Sequence, residues 1–321
     1  MRDAPRRLAL LASLAASACA SGPESIDVDD LSDEQLVVEA REKLASGDLD
    51  RAEEAADALL ERTKDVKRKQ EGLFIAGEVH FAQDEKVKAF RHYQELLHDF
   101  PWSPFVPKCE EHVFAIGAEQ LSGEAWPLFH DLFSGRERGA EVMREFVASY
   151  PSSSRADDAL AALAGYRYSR KEFEEAARLY GQLASRFPES EWGDLAAFRR
   201  AECFKLAARG PGYDPTPLLH AARNYRRYLS DRPTGERRAR AQADAREVDE
   251  QIAQGELKKA QFYVAREQER GARVHFANVA LSFPETSAAE AARRELEKRG
   301  WDLSINSVET LSLPPSAERD E

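Results

Sequence analysis

The residues able to do chemistry are few and scattered. The seven histidines (His80, His92, His98, His112, His130, His220 and His275) stand singly at helical positions. Cys109 and His112 lie one helical turn apart and could bind metal, but structural zinc takes four ligands and no second pair stands nearby, so no metal is expected. The sequence has no HExxH, no Gly-rich phosphate loop and no Gly-x-Ser-x-Gly elbow. Paired carboxylates such as Glu53-Glu54 and Asp157-Asp158 read as solvated faces or helix N-terminal charge rather than as a general acid and base. The expectation is a protein that is not an enzyme and takes no cofactor; a hydrolase would require a nucleophile and base that the sequence does not offer.

Composition defines what must position these residues. The 321-residue chain carries 46 Lys and Arg against 58 Asp and Glu, a formal charge of −12, with 42% apolar residues. Mean hydropathy is −0.60. Only 17 Gly and 15 Pro are present, and Ala, Leu, Glu and Arg dominate, the types that lose least rotamer freedom in a helix. An all-helical fold follows, and the acidic balance argues against nucleic acid as a partner. The basic clusters Lys64 to Lys69 and Arg237, Arg238, Arg240 read as solvated helix ends.

The first residues form an address. Arg2, Arg6 and Arg7 precede the apolar run Leu8 to Ala16, and Ala16-Ser17-Ala18 supplies a small-residue cleavage pattern. Residues 1–18 are therefore expected to be a signal peptide, too short in its apolar part to span a bilayer. The next residue, Cys19, gives this stretch a resemblance to the bacterial lipobox, with Ala16 where that box usually has Leu. The resemblance implies acylation of the Cys19 thiol and a membrane tether; Ala20 rather than Asp after it implies the outer membrane. Residues 19–32 read as a flexible tether. Cys109 and Cys203 are expected as buried free thiols rather than a disulfide.

Internal repetition organises the body. A small residue is followed by Ala at +12, an aromatic at +16 and Pro at +24 in three rows: Gly77, Ala89, Tyr93, Pro101; Ala164, Ala176, Tyr180, Pro188; and Ala260, Ala272, Phe276, Pro284. Small residues let two antiparallel helices approach, the aromatic fills the seam toward the next hairpin, and Pro stops the second helix. Degenerate repeats stay in phase. One runs through Ala40, Ala52 and Ala56, with its turn at Gly47-Asp48-Leu49; one holds Gly139, Met143 and Pro151 with about ten residues inserted around Trp126-Pro127; and one holds Ala221, Tyr225 and Pro233 with an insertion at Gly210 to Pro217. Hydroxyls two residues after each Pro (Ser103, Ser153, Ser190, Thr286) suit helix caps, and Ser32 with Gln35 and Ser287 with Glu290 spell capping boxes. Residues 33–152 and 153–300 read as two repeat halves, and 301–321 as a disordered tail.

These rows resemble the tetratricopeptide repeat over roughly residues 33 to 299, which implies an all-α solenoid of stacked antiparallel hairpins. More specifically, the chain is similar to the BamD (YfiO) family. The similarity rests on Cys19 shortly before the first helix, on Glu39 to Asp48 followed by Phe100-Pro101-Trp102-Ser103-Pro104-Phe105, on Phe187-Pro188-Glu189-Ser190, on a long helix before the closing repeat (Leu257 to Phe283), and on the insertion Gly212 to Leu218. It implies a lipid-anchored periplasmic scaffold of outer-membrane β-barrel assembly, whose partners are a BamA-like barrel-inserting subunit and unfolded outer-membrane proteins.

By resemblance to peptide-binding repeats, a concave groove lined by the first helix of each hairpin would include Val37, Arg41, Phe74, Glu78, Phe81 and Tyr168, each of which could equally pack within its hairpin. Trp126, Phe129 and Phe133 would form a lid on the stack or a second contact. The alternative role is a generic repeat lipoprotein organising cell-wall or secretion machinery.

Overall fold

The computed structural model describes residues 27–122 and 135–303. Cys19 and the signal segment, the Trp126 to Phe133 insertion and the tail beyond Leu303 lie outside the described residues. Among the described residues there are thirteen α-helices and no strand: α1 Asp33–Ser46, α2 Leu49–Arg62, α3 Val66–Ala82, α4 Lys86–Asp99, α5 Val106–Ser122, α6 Gly135–Ser149, α7 Ala156–Ser169, α8 Phe173–Arg186, α9 Gly193–Ala207, α10 Thr216–Asp231, α11 Arg238–Ala265, α12 Glu269–Ser282 and α13 Ser287–Lys298. The class is all-α, a tetratricopeptide-repeat α-solenoid. The chain forms two compact units, residues 1–96 and 97–321, divided within α4.

Repeat columns become contacts in the way close packing demands. A Cβ on Gly77 would lie 2.5 Å from the Tyr93 ring, so α3 can meet α4 there only without a side chain. Ala89, Ala164, Ala176, Ala260 and Ala272 are all buried, as are the aromatics Tyr93, Tyr180, Tyr225 and Phe276. In the second unit each helix from α5 packs on its successor, and α5 reaches α7, α9 reaches α11 and α11 reaches α13, so hairpins stack first helix on first helix.

The tight turns share one geometry. Gly47 (φ 82°), Asp84 (63°), Lys171 (61°) and Glu267 (60°) are left-handed, and each is followed by an amide that donates back to the helix: Asp48 to Lys43, Glu85 to His80, Glu172 to Arg167 and Gln268 to Tyr263. This is the Schellman closure, which satisfies carbonyls the helix end leaves open. Only one of the four turns uses glycine, so the first is marked in sequence and the others are not.

Termini follow the Pro rule and partly correct the caps. Phe187, Arg232 and Phe283, each before a Pro, leave helical geometry with φ near −130°. Ser32 and Gln35 form the expected reciprocal box. At α13 the cap is Thr286, whose hydroxyl accepts from Ala289 N, while Ser287 is the first helical residue and bonds Glu250 instead. Ser103, Ser153 and Ser190 do not cap helices. Their hydroxyls accept from the amide two residues on, at Phe105, Arg155 and Trp192, because the chain makes a full turn after Pro before the helix begins.

Two further expectations change. The stretch Leu257 to Phe283 is not one helix: the long helix is α11, which fuses the Arg- and Glu-rich segment to the last first-helix and breaks at the left-handed Glu267. The expected tether is folded from Asp27 onward, since Val28 is buried against Leu36, Leu59 and their neighbours, and Arg62 bonds the carbonyls of Asp29 and Leu31. Cys109 and Cys203 are buried free thiols, as expected; burial pushes the Cys203 thiol up to about 12, which keeps it protonated and inert.

Candidate functional site

The sequence-derived binding residues separate by environment. Val37 is 3% exposed and packs in the core of α1 to α3, so it has no surface to offer a ligand. Arg41 is half exposed and reaches Glu71 at 3.5 Å, which also takes Arg68 at 2.7 Å. Glu71, Phe74, Glu78 and Phe81 recur at helical spacing along one side of α3; the last three are partly exposed, and Glu78 accepts from the Tyr93 hydroxyl at 2.7 Å. Arg41, Phe74, Glu78 and Phe81 thus belong to one mixed aromatic and charged strip of the first unit. Tyr168 belongs to the second unit.

There Tyr168 begins a charged seam that crosses three first-helices and that the sequence reading missed. Its hydroxyl donates to Glu202 at 3.2 Å and the Arg199 guanidinium lies 4.4 Å over its ring. Glu202, 5% exposed, also receives Arg199 and Arg240, the latter at 2.8 Å. Arg240 continues to Asp244, which takes Lys205 at 2.8 Å and Tyr225 at 3.3 Å, and Lys205 reaches on to Glu247. The seam therefore runs from α7 through α9 to α11. Burial and the Glu202 charge both raise the Tyr168 pKa. For Lys205, burial works against the charge, and Asp244 and Glu247 outweigh it and raise the pKa. Permanent cations held by carboxylates can recognise a polypeptide but supply no nucleophile or titrating base. Arg240 and Glu247 remain well exposed at its edge.

A second polar node lies beside this seam. Arg167, largely buried, puts one guanidinium nitrogen 2.7 Å from Glu137 and another 2.8 Å from Glu172, while Tyr166 donates to Glu137 at 2.7 Å. The Tyr166 and Arg167 bonds hold the Glu137 carboxyl below its usual range despite burial.

The histidines do not all stand alone. His80 stacks on His92 with centroids 5.3 Å apart, and its Nδ1 faces Glu85 at 3.0 Å, Gln83 at 3.1 Å and Glu53 at 4.0 Å. Among the described residues, Glu53, His80 and Glu85 are the group whose donor atoms gather tightly enough for a metal ion. His275 bonds Glu256 at 3.0 Å and stacks on Tyr263; His220 stacks on Phe204. Burial and neighbouring His80 lower the His92 pKa, and burial with Glu53 raises that of Asp57. The insertion at Gly210 to Pro217 is shaped by Gly210 and Gly212 at positive φ and held by Lys258 to the Pro211 carbonyl at 3.1 Å. It borders a cavity of about 570 Å³ with Tyr213, Phe262, Tyr263 and His275.

Stacked hairpins with phased small, aromatic and Pro columns, joined by a charged seam of first-helices, define a helical-repeat scaffold of the tetratricopeptide type. A sequence profile for YfiO, described as an outer membrane lipoprotein, matches residues 137–308. The chain belongs to the YfiO family. No curated protein matches it by sequence. Similar solved structures include the C-terminal part of a TPR repeat-containing protein from Cytophaga hutchinsonii, at 13% identity and TM-score 0.36, covering 81% of this chain and 87% of that one. Another is a tetratricopeptide repeat protein from Parabacteroides merdae, at 14% identity and TM-score 0.34, covering 83% and 97%. No described helix is long and apolar enough to cross a membrane.

Proposed function

We propose that this protein is a scaffold of outer-membrane β-barrel assembly, anchored at the periplasmic face through an acylated Cys19, and that it binds polypeptide rather than transforming a substrate. The observation that carries the reading is the family match over residues 137–308, which spans the whole seam from Tyr168 to Glu247. Its partners are a BamA-like barrel-inserting subunit and unfolded outer-membrane proteins. The exposed ends of the seam, Arg240 and Glu247, and the strip of Arg41, Phe74, Glu78 and Phe81 offer the charge and aromatic surface that such segments need.

Affinity capture from detergent-solubilised outer membranes tests the role. Recovery of the barrel-inserting subunit, weakened by Arg240→Glu, is the expected result; reproducible capture of cell-wall or secretion components alone would replace it with the role of a generic repeat lipoprotein. Mass spectrometry of the mature N-terminus tests the anchor, since an unmodified Cys19 would remove it.

A further inference from the structure

The repeat places two polar nodes at equivalent positions. Arg167 stands three residues after Ala164 and Glu172 eight after; His80 stands three after Gly77 and Glu85 eight after. Each node also takes a glutamate from the second helix of the preceding hairpin, Glu137 in one and Glu53 in the other. In the Arg167 node a permanent cation bridges the two carboxylates. In the His80 node the bridging position is an imidazole, which can present a lone pair where guanidinium can present only charge.

We propose that Glu53, His80 and Glu85 bind a divalent transition-metal ion, with Zn²⁺ the best fit. The three donor atoms lie within 4.8 Å of one another. Bonds of about 2.0–2.2 Å draw them together through small rotations of the two glutamates. These are free to adjust, with side chains 29% and 41% exposed, while His80 is 3% exposed and pinned by its stack on His92. One nitrogen and two oxygens suit zinc, whereas calcium and magnesium take oxygen alone. The two carboxylates neutralise a dication, and water or the Gln83 carbonyl supplies the fourth position. Gln83 Nε2 already donates to Glu53 at 2.8 Å and orients it. With metal on Nδ1 the ring carries its proton on Nε2. Lys88 now supplies the positive charge, 2.7 Å from Glu85 and 3.8 Å from Glu53, and its half-exposed side chain swings into water when the metal enters.

The test is a calorimetric Zn²⁺ titration of the chelator-stripped full chain carrying Cys19→Ser, which removes that thiol as a competing ligand. One ion per chain should bind; Glu53→Gln and Glu85→Gln should each weaken binding more than tenfold, and Gln83→Ala about tenfold. Lys88→Met should tighten it, and His98→Ala should leave it unchanged. Zn²⁺ should raise the thermal midpoint of the parent chain and not that of Glu53→Gln, with the two midpoints compared in EDTA to establish that the variant folds. Unchanged zinc affinity in Glu53→Gln and Glu85→Gln, or no saturable binding in the parent chain, would overturn the proposal and leave the node a hydrogen-bonded ion cluster.

Discussion

The Arg167 node of the second unit and the His80 node of the first solve one problem with different chemistry. Both tie a hairpin turn to the preceding hairpin through two carboxylates, yet Arg167 bridges them with a guanidinium that stays charged, while His80 faces them with one ring nitrogen and stacks on His92. A repeat thus fixes where a polar tie goes and leaves its donor chemistry to one side chain. The seam at Glu202 and Asp244 follows the Arg pattern, with Arg199, Arg240 and Lys205 as its cations.

The largest effect should be the one the two regions share. Tyr225→Ala and Tyr93→Ala each empty the aromatic column at a fully buried site and should cost about 3–5 kcal/mol in urea unfolding. Similar costs would confine the difference between the regions to their polar ties; a gap of several kcal/mol would break the comparison at its packing.

Next, Arg167→His converts one node into the other. It should destabilise the second unit by about 2 kcal/mol at pH 8, where the imidazole is neutral between Glu137 and Glu172, and recover part of that near pH 5 as the ring charges. Thermal midpoints at the two pH values measure this, and a loss independent of pH would mean that packing, not charge, decides the node.

Smaller again, Ser32→Ala removes the capping-box hydroxyl at the start of the first unit and should cost about 1 kcal/mol. Ala at position 286 in place of Thr should cost a similar amount at α13, since its hydroxyl plays the same part. Unequal losses in urea unfolding would show that the buried cap at α13 carries more than a helix start.

The smallest effect is the pH slope from His92, which faces His80, Asp57, Glu95 and Arg91. Its folded pKa lies below the ordinary 6.5, so the unfolded chain binds the proton more readily. Its contribution is complete above that value and is lost as pH falls through 6.5 toward the lower folded value. Asp57, raised by burial, runs the opposite way in the carboxylate range. His92→Gln should flatten the thermal midpoint between pH 7 and 6; a slope that survives would assign it to another group. Glu137, held low, contributes above the ordinary carboxylate range and loses that contribution only in stronger acid.

Much of the scaffold was legible in advance because helical packing is periodic. Gly77 and Tyr93, sixteen residues apart, meet because a column of small residues opposite a column of aromatics allows no other fit, and Pro101, Pro188 and Pro284 follow helix ends for a local steric reason. Thr286 after Pro284 caps its helix as expected, whereas Ser103 and Ser190 close a short turn instead, because a hydroxyl does either with the same atoms; the choice depends on how far the chain travels before the next helix begins. The α11 fusion is not legible in the sequence because no Gly or Pro marks its break at the left-handed Glu267.

The sequence alone determined an all-helical repeat, its register and its family resemblance, since these follow from spacing along one chain. Only tertiary structure decided which side chains share a site. Glu53 and His80 are twenty-seven residues apart, and Tyr168 and Glu202 thirty-four; such pairs meet only when one hairpin has docked on the next, and burial then sets whether Val37 faces the core and whether Glu202 must be matched by cations.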